Sequence, residues 1–231
     1  MKQPVDPMKI ALLEAALPHV AFDGWAQSAF DSAVSEVGID PAHAKTLCPK
    51  GPVDLAVLYH ERGDDAMVAA LKAADLSEMR FRDKVAHAVR LRLAAVDDKE
   101  IVRRGSALFA LPHLAPIGAK LIWGTADAIW TALGDTSDDV NWYTKRATLS
   151  AVYGSVVLFW LGDQSDDGAG TDEFIDRRID NVMQFEKIKA QVRDNKVLGP
   201  IVGPLEKMLG MIKAPRQMPM NDLPGMWRDP E

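Results

Sequence analysis

Covalent and metal constraints are scarce in this chain of 231 residues. It has one cysteine, Cys48, so no intramolecular disulfide can form and nothing calls for an oxidising compartment. Long apolar runs are missing too. The longest, Ala147 to Leu161, is interrupted by Thr148, Ser150, Gly154 and Ser155, whereas a membrane span needs roughly 20 predominantly apolar residues. There is no basic excess: 27 Lys and Arg against 33 Asp and Glu leave a net charge of −6, which argues against a general nucleic-acid binder. The five histidines lie at least 17 residues apart, so no local two-His zinc motif exists. Asp163, Ser165, Asp167 and Gly168 occupy the first, third, fifth and sixth places of a calcium loop, but Phe174 stands where the bidentate Glu belongs. Gly-x-Gly-x-x-Gly, Walker and Gly-x-Ser-x-Gly motifs are absent, so no catalytic residue, metal or cofactor is expected. The opening residues, Met1 to Pro7, lack the apolar run of a signal peptide and the Arg/Ser bias of a transit peptide. The expectation is a bacterial cytoplasmic protein, or a processed form.

What is present is an ordinary globular composition, 48% hydrophobic and 26% charged, enough for one large domain or one and a half. Apolar residues recur at spacings of three to four, with no convincing period-two run, so the chain reads as all-α with eight to ten helices. A first helix, Met8 to Phe22, carries Ile10, Leu13, Leu17 and Val20, and Pro18 should bend or split it. Asp40 and Pro41 open a short third helix as N-cap and first helical residue. Gly63 marks a possible break in the fourth. Between Glu78 and Val96, Met79, Val85, Ala86, Val89 and Leu93 lie on one side and Arg80, Arg82, Lys84, Arg90 and Arg92 elsewhere, the form of a partly solvated helix. Asp83 and His87 share a helical face as a surface pair. The loop from Gly162 to Gly170 reads as polar and mobile, with Thr171 capping the next helix.

Three regions are informative. Residues 25 to 51, with helix, Gly turn, short helix and then Pro-Lys-Gly, have the layout of a helix-turn-helix and resemble the N-terminal part of a TetR-type regulator. The groove-reading helix would be Pro41 to Cys48, which carries a single Lys. Over Trp25 to Arg62, five acidic residues oppose three basic ones, net −2, the wrong sign for several phosphate contacts. The fold is expected without the nucleic-acid function.

The second region is a pair of apolar helices flanking residue 135. One carries Ile122, Ala126, Ile129, Trp130 and Leu133. The other carries Leu149, Val152, Val156, Phe159 and Trp160, with Tyr153 and Val157 beside the stripe. Either the two are plain core, or, with Gly124, Gly154, Ser155 and Ala126 as small residues, they enclose a long apolar cavity for a lipid. The third is Val197 to Ile212. If helical, Leu198, Ile201, Val202, Leu205, Met208, Leu209 and Ile212 lie on one face, and Lys196, Lys207 and Lys213 against Glu206 give +2, which suits an anionic membrane surface. A C-terminal helix docked on the core is the alternative. The expected units are thus 8–51, 52–196, an amphipathic helix over 197–213 and an extended tail over 214–231.

The stretch Asp138-Asp139-Val140-Asn141-Trp142-Tyr143-Thr144-Lys145-Arg146 resembles the "D-x-N-W-Y-T-[KR]-R" signature of the coenzyme Q biosynthesis accessory family, COQ9. Phe174-Ile175-Asp176-Arg177-Arg178-Ile179 is similar to that family's later helix. The resemblance runs from about Ile10 to Ile212. It implies a TetR-like helical bundle and a non-catalytic accessory role in ubiquinone biosynthesis. It further implies an isoprenoid lipid or quinone intermediate in a pocket between the C-terminal helices, and attachment to the inner membrane through Ile201, Leu205, Met208 and Leu209. Substrate would be presented to the demethoxyubiquinone hydroxylase at a surface holding Trp142, Tyr143 and Arg146. TetR-type folds commonly pair through their last core helices, so a homodimer is expected. The competing reading is a ligand-responsive TetR-type transcriptional regulator.

Overall fold

The computed structural model describes residues 4–194 and Lys213. Its described residues form nine α-helices: α1 (Pro7–Asp23), α2 (Gln27–Val37), α3 (Pro41–Leu47), α4 (Pro52–Ala73), α5 (Phe81–Ala94), α6 (Lys99–Phe109), α7 (Ala115–Ala132), α8 (Val140–Gly162) and α9 (Ala169–Asp194). A single 3-10 turn, Asp166–Gly168, precedes α9. The segments 197–212 and 214–231 lie outside the described residues, and with them the seven residues assigned to a membrane face, Leu198 to Ile212. Among the described residues no helix is long and apolar enough to cross a membrane.

The helix starts follow from local chemistry. Asp6, Asp40, Asp98 and Asp139 each accept hydrogen bonds from backbone N–H groups of the following turn, which would otherwise be orphaned. Gly38 ends α2 at φ 71°, a left-handed conformation that suits glycine.

Two apolar cores result. Leu12, Leu13, Ala16, Val20, Phe30 and Leu55 belong to the first, built by α1–α3 and the start of α4. Met67, Val89, Ile129, Val156 and Ile175 belong to the second, built by the end of α4 with α5, α7, α8 and α9. Because α4 contributes to both, the expected boundary at 51/52 is a turn rather than a seam in the packing.

Several expectations are corrected. Pro18 does not split α1: it lies on the exposed face, where water can satisfy the carbonyl it leaves unpaired, while Leu12, Leu13, Ala16 and Val20 hold the helix down. Ile10 falls on the solvent side of that helix. Gly63 does not break α4. Met79 precedes α5 and is exposed, and Arg92 is buried rather than solvated. Asp83 pairs with Arg80 and Arg82. The loop after α8 is structured: the Asp163 carboxylate accepts from the backbone N–H groups of Ser165 (3.0 Å) and Thr171 (2.7 Å) and from the Thr171 hydroxyl (2.5 Å), so α9 begins at Ala169 and Thr171 is held rather than capping.

Candidate functional site

A cavity of about 420 Å³ lies among α4, α5, α6, α7 and α8. Its walls are mostly apolar, from Leu93, Ile101, Val102, Phe109, Ile122, Val157 and Trp160. The exposed lining residues Ala110, Ala115, Ala119 and Leu158 place its opening between the end of α6, the start of α7 and the outer side of α8. Gly118 lets α6 and α7 approach here, since a Cβ on it would lie 2.8 Å from Phe109 Cβ. Lys99 and Arg103 of α6 donate to the carbonyls of Trp160 (3.3 Å) and Leu161 (2.8 Å), capping the C-terminal end of α8, and Lys99 lies 5.0 Å over the Trp160 ring.

The inner end of the cavity is polar. Arg92, 4% exposed, donates from Nε to Asp64 (2.7 Å) and from Nη2 to the His60 carbonyl (3.0 Å). The Thr125 hydroxyl donates to Asp64 (2.9 Å), and His60 Nε2 lies 2.9 Å from Thr125 Oγ1. With the hydroxyl proton given to Asp64, His60 must be the donor to Thr125. Burial lowers His60 to about 4 despite the opposing pull of Asp64, and burial pushes the Tyr153 hydroxyl up to about 12. Gly63 makes the arrangement possible, because a Cβ there would stand 2.6 Å from Arg92 Cζ.

The signature segment opens α8. Arg146, 2% exposed, donates to Asp127 (2.5 Å), to Asp135 (2.9 Å) and to the Trp142 carbonyl (3.2 Å), and its guanidinium lies 4.0 Å from the Trp142 ring centroid. Lys145 donates to Asp135 and Ser137 (2.8 and 2.7 Å). Burial opposes ionisation of Asp135, but these hydrogen bonds outweigh it and hold the carboxyl at about 2. Trp142 and Tyr143 remain half-buried at the surface, in edge contact at 4.8 Å, and Tyr143 donates to the Lys213 carbonyl at 3.3 Å. Arg146 therefore lies beneath this surface and supports Trp142 rather than being presented alongside it.

The residues expected to line a lipid pocket divide into four groups. Ile122, Tyr153 and Trp160 line the cavity. Trp130, Leu133, Leu149 and Val152 line a second hollow of about 470 Å³ beside Asp135 and Lys145. Ala126, Ile129 and Val156 are fully buried core, and Phe159, partly exposed, stacks on Phe174 at 4.3 Å. Of the small residues, only Gly154 borders the cavity; Gly124 faces open space. Sequence reasoning missed the His60–Asp64–Thr125–Arg92 network, although His60 and Asp64 at i,i+4 around a mid-helix glycine were a visible signal.

An all-helical TetR-like fold is thus defined. A TetR transcriptional regulator from Nitrosomonas europaea ATCC 19718 matches it with a TM-score of 0.60 at 18% identity, over 75% of this chain and 96% of that one. Residues 115–186, which hold α7, α8 and all of α9's described side chains, match the COQ9 family model. The probable ubiquinone biosynthesis protein coq9, mitochondrial, of Dictyostelium discoideum is 31% identical over 196 residues, covering 81% of this chain and 63% of that protein. The ubiquinone biosynthesis protein COQ9, mitochondrial, of Drosophila melanogaster is 30% identical over 192 residues (81% and 59%), and that of Homo sapiens 26% over 193 (79% and 59%). Through this segment the chain is similar to the COQ9 family. It spans about three fifths of the length of these relatives.

Proposed function

We propose that this protein is a non-catalytic accessory factor of ubiquinone biosynthesis that binds an isoprenoid quinone intermediate. The observation that carries the reading is the apolar cavity walled by α7 and α8, the helices of the COQ9-matching segment. Its volume falls in the range of about 300–1,000 Å³ usual for small-ligand sites. The isoprenoid tail occupies the apolar walls, and Trp142 and Tyr143 anchor the demethoxyubiquinone hydroxylase, both being residue types that dominate interface energetics. Residues 197–213 attach the protein to an anionic membrane, and two copies pair through the last core helices. The regulator reading is disfavoured by the net acidic helix-turn-helix region.

Mass spectrometry of the natively purified protein tests the proposal. A co-isolated prenylated lipid and binding to anionic liposomes are expected. Lipid-free protein that ignores such liposomes sinks it, and salt-dependent, sequence-selective DNA binding would revive the regulator.

A further inference from the structure

The cavity's inner end carries information about the ligand's head group. Tyr153 is only 4% exposed and lines the cavity, yet among the described residues nothing hydrogen-bonds its hydroxyl. A hydroxyl on a buried side chain that no protein group meets is unfavourable unless a ligand or water reaches it, and the cavity is the space that Tyr153 lines. Arg92 is the one residue with a permanent charge among those lining it, and that charge is already matched by Asp64 at 2.7 Å. His60 is neutral at physiological pH, so the inner end is neutral as a whole. A carboxylate or phosphate brought there would add an uncompensated buried charge.

We infer that the cavity selects its ligand by head-group charge: a neutral carbonyl or hydroxyl oxygen accepts a hydrogen bond from Tyr153, and amphiphiles with an acidic head are rejected. The inference rests on the ligand-binding reading above, and it assigns Tyr153 as the specificity-determining residue. It also fixes the ligand's direction, head inward against Tyr153 and tail toward the opening near Leu158.

Three probes on one scaffold test it: geranylbenzene, a geranylated phenol and a geranylated benzoic acid, titrated calorimetrically into the full chain at neutral pH. The phenol should bind about tenfold more tightly than geranylbenzene, the value of one well-made hydrogen bond, and the benzoate more weakly than either. Tyr153→Phe keeps the shape and breaks no hydrogen bond within the described protein, so it should fold normally. It should erase the phenol's advantage while leaving geranylbenzene binding unchanged. Benzoate binding as tight as phenol binding, or an advantage that survives in Y153F, overturns the inference while leaving the cavity intact as a lipid site. Failure of all three probes to bind overturns the ligand-binding reading and the inference with it.

Discussion

Replacing a mid-helix glycine by alanine ordinarily stabilises a helix by about 0.5–1 kcal/mol, because alanine loses less backbone entropy on folding. At Gly63 the opposite sign is expected. The new Cβ would lie 2.6 Å from Cζ and Nη1 of Arg92 and 2.8 Å from Nη2, inside any real contact distance. A free guanidinium would swing aside at little cost, but this one is buried and fixed by Asp64 at 2.7 Å and the His60 carbonyl at 3.0 Å. Displacing it leaves Asp64 as an unpaired buried charge, a loss of about 3–5 kcal/mol. Against the helical gain, G63A should be destabilised by about 2–4 kcal/mol, read as a lowered urea midpoint at unchanged m-value. The cause is separable from generic crowding by a double-mutant cycle. In an R92M background the clash and the ion pair are both gone, so adding G63A should be neutral or stabilising. A G63A protein as stable as the parent, or one that loses equally in both backgrounds, refutes the reasoning.

The remaining predictions concern pH, the cavity and the surface. Because the folded His60 titrates near 4 and the unfolded ring near 6.5, the unfolded state takes up the extra proton as pH falls through that window. Stability should drop by up to about 3 kcal/mol between those values, and His60→Gln should flatten the slope of denaturation midpoint against pH. Gly154→Leu has room at its Cβ, 3.8 Å from Ile122 Cδ1, so its outer atoms should fill the cavity and weaken geranylbenzene binding by about tenfold without unfolding the protein. Trp142→Ala should weaken hydroxylase capture by about 2 kcal/mol or more with little change in melting temperature. Arg146→Ala should lose about 1.5–3 kcal/mol of stability, the value of a charge-assisted hydrogen bond, because Lys145 still pairs with the buried Asp135; equal effects of the two on melting would show Trp142 to be structural.

Features written into neighbouring residues were legible in the sequence. The Asp40 cap, the Gly turn after the second helix and the Trp142–Tyr143 segment all depend on contacts within a few positions. Arg92 was misread because its partners, Asp64 and the His60 carbonyl, lie 28 and 32 positions away and only the crossing of α4 and α5 unites them. A charge at a helical position that looks solvated carries no mark of the acid that will bury it. The α7 and α8 stripes were legible as apolar, but periodicity does not distinguish Val156, packed in the core, from Ile122, which faces a void. That difference is set by α6, whose Gly105 and Ser106 border the cavity without filling it. The Gly162–Gly170 loop was misjudged for the same reason as the caps were found: one carboxylate, Asp163, organises it, but from eight residues away.

The two proposed working surfaces share one rigid hairpin. Helix α8 runs unbroken from Val140 to Gly162 and is tied to α7 by Arg146 on Asp127 and by the close approach of Ile122 to Gly154. Tyr143 and Leu158 are 15 residues apart, which at 100° per residue puts them within about 60° on the helix and about 22 Å apart along it. Between them the exposed residues Ala147 and Ala151 present an uncharged, shallow strip. A partner burying about 800 Å² of this surface covers a patch about 30 Å across, so an interface of ordinary size can span the anchor and the cavity opening together. Transfer of a ligand then needs no displacement of α7 or α8.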